Sequence, residues 1–303
     1  MIKKIVSDFA PLLAILIAVW IILLIPFQVI GHGFMPPDDA MRHSAKIVSG
    51  KDWNQILVVR DEIKVESYPG WDAILGFVNR VTGWDQHGLI LFSVVSLFIL
   101  LCLVPIVFLK YPESWLLTLF ALSVASPSWF FRLLLGRPYI VTMASLMAIL
   151  FMWPRLREKK LQYTNLLILT CIIAISVWAH ASWYFFLFLI IPFMLARQWR
   201  ASVMLAIASG LGILIAASFT GHPVIFLKQM ITHFFLVFGS NDVERQLVGE
   251  LRPMIGDYSI VLTVLMVLGW RSLRGLRLKK SVDNPVFIPV SYTHLTLPTK
   301  RIV

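Results

Sequence analysis

Two adjacent carboxylates, Asp38 and Asp39, follow a Pro-Pro step, and a stretch carrying Arg42, His43 and Lys46 comes directly after them. A carboxylate beside a cation and near apolar walls stays ionised and can take a proton from an incoming hydroxyl, the task of a general base. Pro37 before Asp38 is equally an ordinary helix start with Asp38 as N-cap, and an Asp–Arg pair one turn apart is an ordinary surface pair. At i,i+4 spacing Asp38 is expected to meet Arg42, and Asp39 to meet His43. A second group is basic: Arg132, and Arg137 within Gly136-Arg137-Pro138-Tyr139. A guanidinium donates two parallel hydrogen bonds and keeps its charge, which suits a phosphate; snorkelling to ordinary lipid phosphates would use the same residues. In Trp178-Ala-His180-Ala-Ser-Trp183, His180 can donate to a phosphate or sugar hydroxyl and Trp183 can stack on a sugar ring. An aromatic belt around a satisfied histidine explains that run as well. His43 and Lys228 complete the expected substrate contacts. The histidines are too dispersed for a metal set with readable spacing, so no metal ligand is assigned and a divalent cofactor has no support from spacing.

For such groups to act together, some scaffold must deliver them to one surface. The chain has 303 residues, 58% apolar and 14% charged, with a mean hydropathy of +0.81. That is too poor in charge for an ordinary soluble domain, and the expectation is an all-α, polytopic integral membrane protein. Gly and Pro number 16 each, which excludes collagen-like and disordered classes, and Cys102 and Cys171 both lie in apolar runs, where they read as packing residues. A membrane-spanning helix needs about 20 apolar residues. Eight segments approach that length: 9–30, 88–109, 115–131, 139–154, 165–179, 183–196, 201–220 and 258–270. The first follows Lys3 and Lys4 and lacks a small-x-small cleavage site, so it reads as a retained anchor.

Basic residues orient the chain. One set of loops holds fourteen Lys/Arg against the acids Asp8, Glu113, Glu158 and Asp283, while the opposite loops hold eleven Lys/Arg and twelve Asp/Glu. The first set is expected to be cytoplasmic, with the N-terminus on that side. The net charge of +11 then follows from topology, together with Lys300 and Arg301, and no nucleic-acid partner is implied. Alternation leaves two large outer loops, 31–87 and 221–257, and scaffolded loops are where sites are carried. Within the first, Tyr68-Pro-Gly-Trp-Asp opens a helix with Trp71, Ile74, Leu75, Val78 and Val81 on one face, lying either along the membrane plane or over the top of the bundle. The second loop starts apolar, then turns polar, with Arg245, Arg252, Glu244 and Glu250. No acid or base lies deep in any of the eight segments, which disfavours an ion-coupled transporter. P-loop, G-x-S-x-G and dinucleotide fingerprints are absent.

A short anchor, a large outer loop opening on an acidic pair, amphipathic helices in that loop, an outward-starting span opened by Arg137-Pro138 and a second large outer loop are shared features. In these the chain resembles the membrane glycosyltransferases of the C fold (GT-C), the class of protein O-mannosyltransferases and lipid A aminoarabinose transferases. The resemblance covers about residues 1–280. It implies a bacterial inner-membrane enzyme that moves a sugar from a polyprenyl-phosphate donor to a hydroxyl of an envelope lipid, glycan or protein on the periplasmic side. On the matching positions, Asp39 would be the base with Asp38 capping the helix, and Arg137 would hold the donor phosphate with Arg132 assisting. Relatives often pair Asp with Glu where this chain has Asp-Asp. Two other classes fit the composition: a lipid or polysaccharide flippase or transporter, which needs a continuous polar stripe through the spans, and a non-enzymatic membrane assembly protein, which would tolerate loss of both aspartates. Finally, Val290-Ser-Tyr-Thr-His-Leu-Thr-Leu-Pro-Thr299 resembles a translated transposase adapter. Residues 290–303 are therefore expected to be non-native, with 281–289 the start of a further span of a C-terminally truncated chain.

Overall fold

The computed structural model describes residues 2–239 apart from 34, 37–38, 57–64, 110–111, 126, 157 and 159–161. Asp38, the polar half of the second loop, the eighth expected segment at 258–270 and the tail from Val290 lie outside the described residues. Every regular element among those described is helical. The chain opens with α1 (Ile2–Val19), a π-helical turn at Trp20–Leu24 and α2 (Ile25–Gly31). The widened turn comes just before Pro26, which has no N–H and whose ring would strike the carbonyl four residues back in an unbroken ladder. The first loop carries α3 (Asp39–Ser49), the single turn α4 (Trp53–Ile56) and α5 (Pro69–Thr82).

The Asp85 carboxylate accepts from the Gly88 N–H at 3.0 Å and caps α6 (Gln86–Leu103), which passes into a 3-10 turn at Pro105–Phe108. Pro105 cannot donate to the Leu101 carbonyl, and the Trp115 indole N–H takes its place at 3.0 Å. Then follow α7 (Pro112–Ala125), α8 (Pro127–Leu134), α9 (Tyr139–Leu156), α10 (Gln162–Ala179), α11 (Tyr184–Leu195), α12 (Trp199–Ser218) and α13 (Pro223–Gly239).

Among the described residues five helical stretches are long and apolar enough to cross a membrane: Phe9–Ile30, Gln86–Phe108, Tyr139–Leu156, Gln162–Ala179 and Trp199–Ser218. The expected segment 115–131 is divided between α7 and α8, since Pro127 can begin a helix but not continue one. The segment 183–196 forms only the 12-residue α11, about 18 Å long against a hydrocarbon core of about 30 Å.

The core has two halves that share α9. Ile140, Val141 and Ala144 of its loop end share one apolar cluster with residues of α1, α6 and α7, and Ile149, Met152 and Leu156 of its far end share another with residues of α10 to α13. Between α10 and α12 the small residues Ala208, Gly212 and Ala216 let two backbones come close, as membrane helices commonly do. The opposite faces of α1 and α12 expose Leu12, Ile15, Leu16, Val203, Ile207, Leu211 and Leu214. An apolar coat of that extent is foreign to water-facing surfaces and suits lipid.

Over one end of this bundle lies the first loop. Gly70 at the start of α5 has no room for a Cβ, which would come within 2.5 Å of the Trp178 ring at the end of α10. Trp71 and Leu75 are buried, as their periodicity implies, but Val81 is 68% exposed. The helix therefore packs over the bundle through its first half, and Gly83 ends it in the left-handed region at φ 65°.

Gly212 and Gly210 test the close helix pair. A Cβ on Gly212 would lie 2.9 Å from Ile173 and 3.0 Å from the Thr170 carbonyl, whereas Gly210 faces open space. Gly212→Ala should lower stability by about 1–3 kcal/mol through overpacking, and Gly210→Ala should be neutral or gain up to about 1 kcal/mol of helix propensity. Thermal unfolding in one detergent compares them; equal midpoints would contradict the packing described.

Candidate functional site

The sequence-expected base and phosphate ligand come together because a helix start and a helix turn share a backbone contact. The Ala40 N–H in the first turn of α3 donates to the Leu135 carbonyl just past α8 at 3.3 Å. Next to it, Gly136 adopts φ +63°, and a Cβ there would come 2.7 Å from the Ala40 Cβ, so only glycine meets both demands. The chain then turns through Arg137 and Pro138 into α9. Asp39 is held between two guanidiniums: Arg42 Nη2 lies 2.7 Å from its Oδ1, and Arg137 Nε lies 3.9 Å from its Oδ2. The first is a charge-assisted hydrogen bond and the second a charge contact too long to be one. The Asp39 and Arg137 side chains are 17% and 19% exposed, while Arg42 is 45% exposed. Arg132 in the last turn of α8 belongs to the same neighbourhood, since Tyr139 lies within electrostatic reach of Arg137, Arg132 and Asp39.

Arg42 therefore pairs with Asp39 at i,i+3. The expected Asp39–His43 pair gives way to a longer-range one. His43 is fully buried, and its Nδ1 lies 2.5 Å from Asp72 Oδ1, 29 residues away on α5. The other Asp72 oxygen accepts from the Lys46 ammonium at 2.6 Å, and Lys46 also donates to Glu66 at 2.5 Å, with the Trp53 ring 5.0 Å beneath it. Burial disfavours the Lys46 charge, but the hydrogen bonds to Asp72 and Glu66 and the fields of these two carboxylates outweigh it, and its pKa is raised. Lys46 is an internal cation tying α3 to α5. Through Nδ1 His43 thus serves the loop's own architecture, while its buried Nε2 has no hydrogen-bond partner among the described residues.

Tyr68 joins the two groups. It precedes α5 in the position where Ser, Thr, Asp or Asn is usual, and it has no side-chain cap bond. The His43 ring meets it edge-on at 4.9 Å and the His180 ring lies tilted against it at 5.6 Å. Burial, then the Asp39 charge, raises the pKa of its hydroxyl, opposed by Arg42 and Arg137. The phenol beside Asp39 is therefore a neutral hydrogen-bonding group.

On its far side, His180 Nδ1 is 3.1 Å from Thr142 Oγ1, which accepts from Ser176 at 3.3 Å, and the Ala181 N–H donates to the Ser67 carbonyl at 3.2 Å. His180 is thus brought to the loop group. Trp183 instead packs into the apolar core shared by α9, α10 and α12. Lys228 is exposed on α13, next to Gln229, whose amide makes two hydrogen bonds with the Val65 backbone, at 3.0 and 2.7 Å.

Sequence reading missed Tyr68, Asp72, Lys46, Glu66 and Thr142. An aromatic residue in a capping position was the one available signal, because the other contacts depend on which helix faces meet. Among the described residues no three or more His, Cys, Asp or Glu side chains converge to hold a metal ion. Comparison with known protein families, curated proteins and solved structures returns no match.

Lys46 and Tyr68 set an alkaline limit. Both bind their proton more tightly in the folded state than at the ordinary values of 10.5 and 10.0. Their contribution is whole below about pH 10 and is lost as pH rises through the raised folded values, where the unfolded chain binds fewer protons. The thermal midpoint should hold up to about pH 9 and then fall, less steeply in Lys46→Met with Tyr68→Phe. A fall of the same steepness in that double variant would contradict this assignment.

Proposed function

We propose that the chain is an integral membrane glycosyltransferase moving a sugar from a polyprenyl-phosphate donor to an acceptor hydroxyl on the extracytoplasmic face. The observation that carries this reading is the apposition of Asp39 and Arg137, two side chains from separate helices, partly buried and joined through the Ala40–Leu135 backbone contact. In the proposal Asp39 removes the proton of the acceptor hydroxyl as that oxygen attacks the anomeric carbon. The bond to the donor phosphate breaks on the opposite side, and Arg137, helped by Arg132, stabilises the leaving phosphate. A single displacement of this kind inverts the anomeric centre.

The GT-C resemblance, a cytoplasmic N-terminus and eight spans belong to the same proposal, with α7–α8 and α11 as broken or short crossings. Support for the topology is internal to the fold: the end of α2, the start of α6, the end of α8, the start of α9, the end of α10 and the start of α11 all border the first loop or the turns packed against it. That is the alternation expected of successive crossings.

Asp39→Asn should abolish transfer while binding of undecaprenyl phosphate is retained, and Arg137→Ala should weaken that binding about tenfold or more. Ligand-induced shifts of the thermal midpoint measure the binding. Equal loss of binding in both variants would overturn the assigned roles.

A further inference from the structure

Tyr68 bridges the two backbones that carry Asp39 and Arg137. His43, which meets its ring edge-on at 4.9 Å, lies one helical turn after Asp39 on α3. His180, tilted against the same ring at 5.6 Å, is 3.1 Å from Thr142 in the first turn of α9, directly after the Arg137-Pro138 step. Both flanking rings are held by their own polar contacts, His43 on Asp72 and His180 on Thr142. The Tyr68 backbone is tied too: its N–H donates to Glu66 Oε1 at 3.3 Å, and its carbonyl accepts from the Asp72 N–H at 3.0 Å. These are its only hydrogen bonds to described residues, so a firmly held phenol has a hydroxyl with no partner among them.

Two other unpartnered polar atoms of this region, His43 Nε2 and Trp71 Nε1, are fully enclosed, whereas Tyr68 is only partly buried. The charge that acts most on its hydroxyl is that of Asp39, followed by Arg42 and Arg137. A phenol that keeps its proton offers one donor, and tyrosine hydroxyls held away from bulk water ordinarily engage a partner. A carboxylate only accepts and a guanidinium only donates, so an oxyanion seated at Arg137 can accept from the guanidinium and the phenol together. We propose that the Tyr68 hydroxyl donates a hydrogen bond to a phosphate oxygen of the lipid-linked donor, which makes Tyr68 a binding residue alongside Arg137. The inference rests on the proposed function for the identity of that anion.

Tyr68→Phe isolates the hydroxyl, since the ring and its contacts with His43 and His180 remain. The full chain in detergent is titrated with undecaprenyl phosphate and with undecaprenol, which has the same tail and no phosphate. Tyr68→Phe should bind undecaprenyl phosphate about tenfold more weakly than wild type, as for loss of a hydrogen bond to a charged group, and undecaprenol equally well. Its unliganded thermal midpoint should not fall, because no partner within the protein is lost. Removing a hydroxyl that served only the loop would instead lower the midpoint and leave the preference for the phosphate unchanged.

Equal binding of undecaprenyl phosphate by wild type and Tyr68→Phe overturns the inference, and so does a loss shared by undecaprenol. A Tyr68→Phe variant that fails to fold, or unfolds at a lower temperature, overturns it as well, since the hydroxyl then has a structural partner. Loss of binding in Arg137→Ala with none in Tyr68→Phe leaves the proposed donor class standing and removes this inference alone. Phosphatidylglycerol is the comparison for an ordinary lipid headgroup. The same loss with that lipid would keep the phosphate contact and overturn the polyprenyl donor, and no binding of undecaprenyl phosphate by folded wild type would overturn both.

Discussion

The candidate site depends on one backbone junction, where the Ala40 N–H meets the Leu135 carbonyl and Gly136 takes a left-handed turn against the Ala40 methyl. Asp39 belongs to the first loop and Arg137 to the turn between α8 and α9, nearly a hundred positions apart in sequence. Side-chain attraction alone would be a poor way to bring them together, because the two charges are 3.9 Å apart, too far for a hydrogen bond, and long side chains lose much rotamer freedom in meeting. A main-chain hydrogen bond and a contact that excludes a Cβ fix the two backbones first. The side chains then meet at little further conformational cost. Gly136 is consequently a stricter requirement of the site than either charged residue, since φ +63° and the 2.7 Å approach both exclude a side chain.

Elsewhere in the described part of the loop, a cluster of charged side chains joins the helices. A loop of this length over the end of a helical bundle has little apolar core of its own, and Lys46 supplies a centre. Its ammonium gathers Asp72 and Glu66, the Trp53 ring covers it, and Asp72 in turn holds the buried His43. Removing one member of such a cluster leaves buried charge uncompensated, which costs more than the cluster contributes when whole. Gln229 of α13 pins the same loop from another side by satisfying both backbone groups of Val65. These contacts join α3, α5 and α13, and they keep Asp39 in register with the α8–α9 turn.

Much of the scaffold was legible because apolar runs report helices directly, and the charge-poor composition reports their setting. The start of α5 at Pro69 and the turn at Gly136-Arg137-Pro138 were legible from local chemistry of the same kind. Hydropathy averaged over a window does not register a helix break, which is why 115–131 read as one segment although Pro127 divides it. Helix-face arithmetic likewise paired Asp39 with His43 at i,i+4, whereas Asp39 pairs with Arg42 at i,i+3 on the same helix. The actual partner of His43, Asp72, comes from another helix, and nothing in the spacing of α3 indicates that its His43 face is covered. Tyr68 was hidden differently: its part in the site comes from contacts with His43 and His180, residues from two other places in the chain.

Ion pairs around α3 and α5 form two groups with a neutral phenol between them. On the inner side one ammonium, Lys46, faces two carboxylates, Asp72 and Glu66; on the outer side one carboxylate, Asp39, faces two guanidiniums, Arg42 and Arg137. Tyr68 keeps the groups apart: its hydroxyl stays protonated, and its ring contacts His43 on one side and lies within the fields of Asp39, Arg42 and Arg137 on the other. The phenol thus stands between the Asp39–Arg42 pair, with Arg137 in charge contact, and the Lys46 ammonium with its two carboxylates.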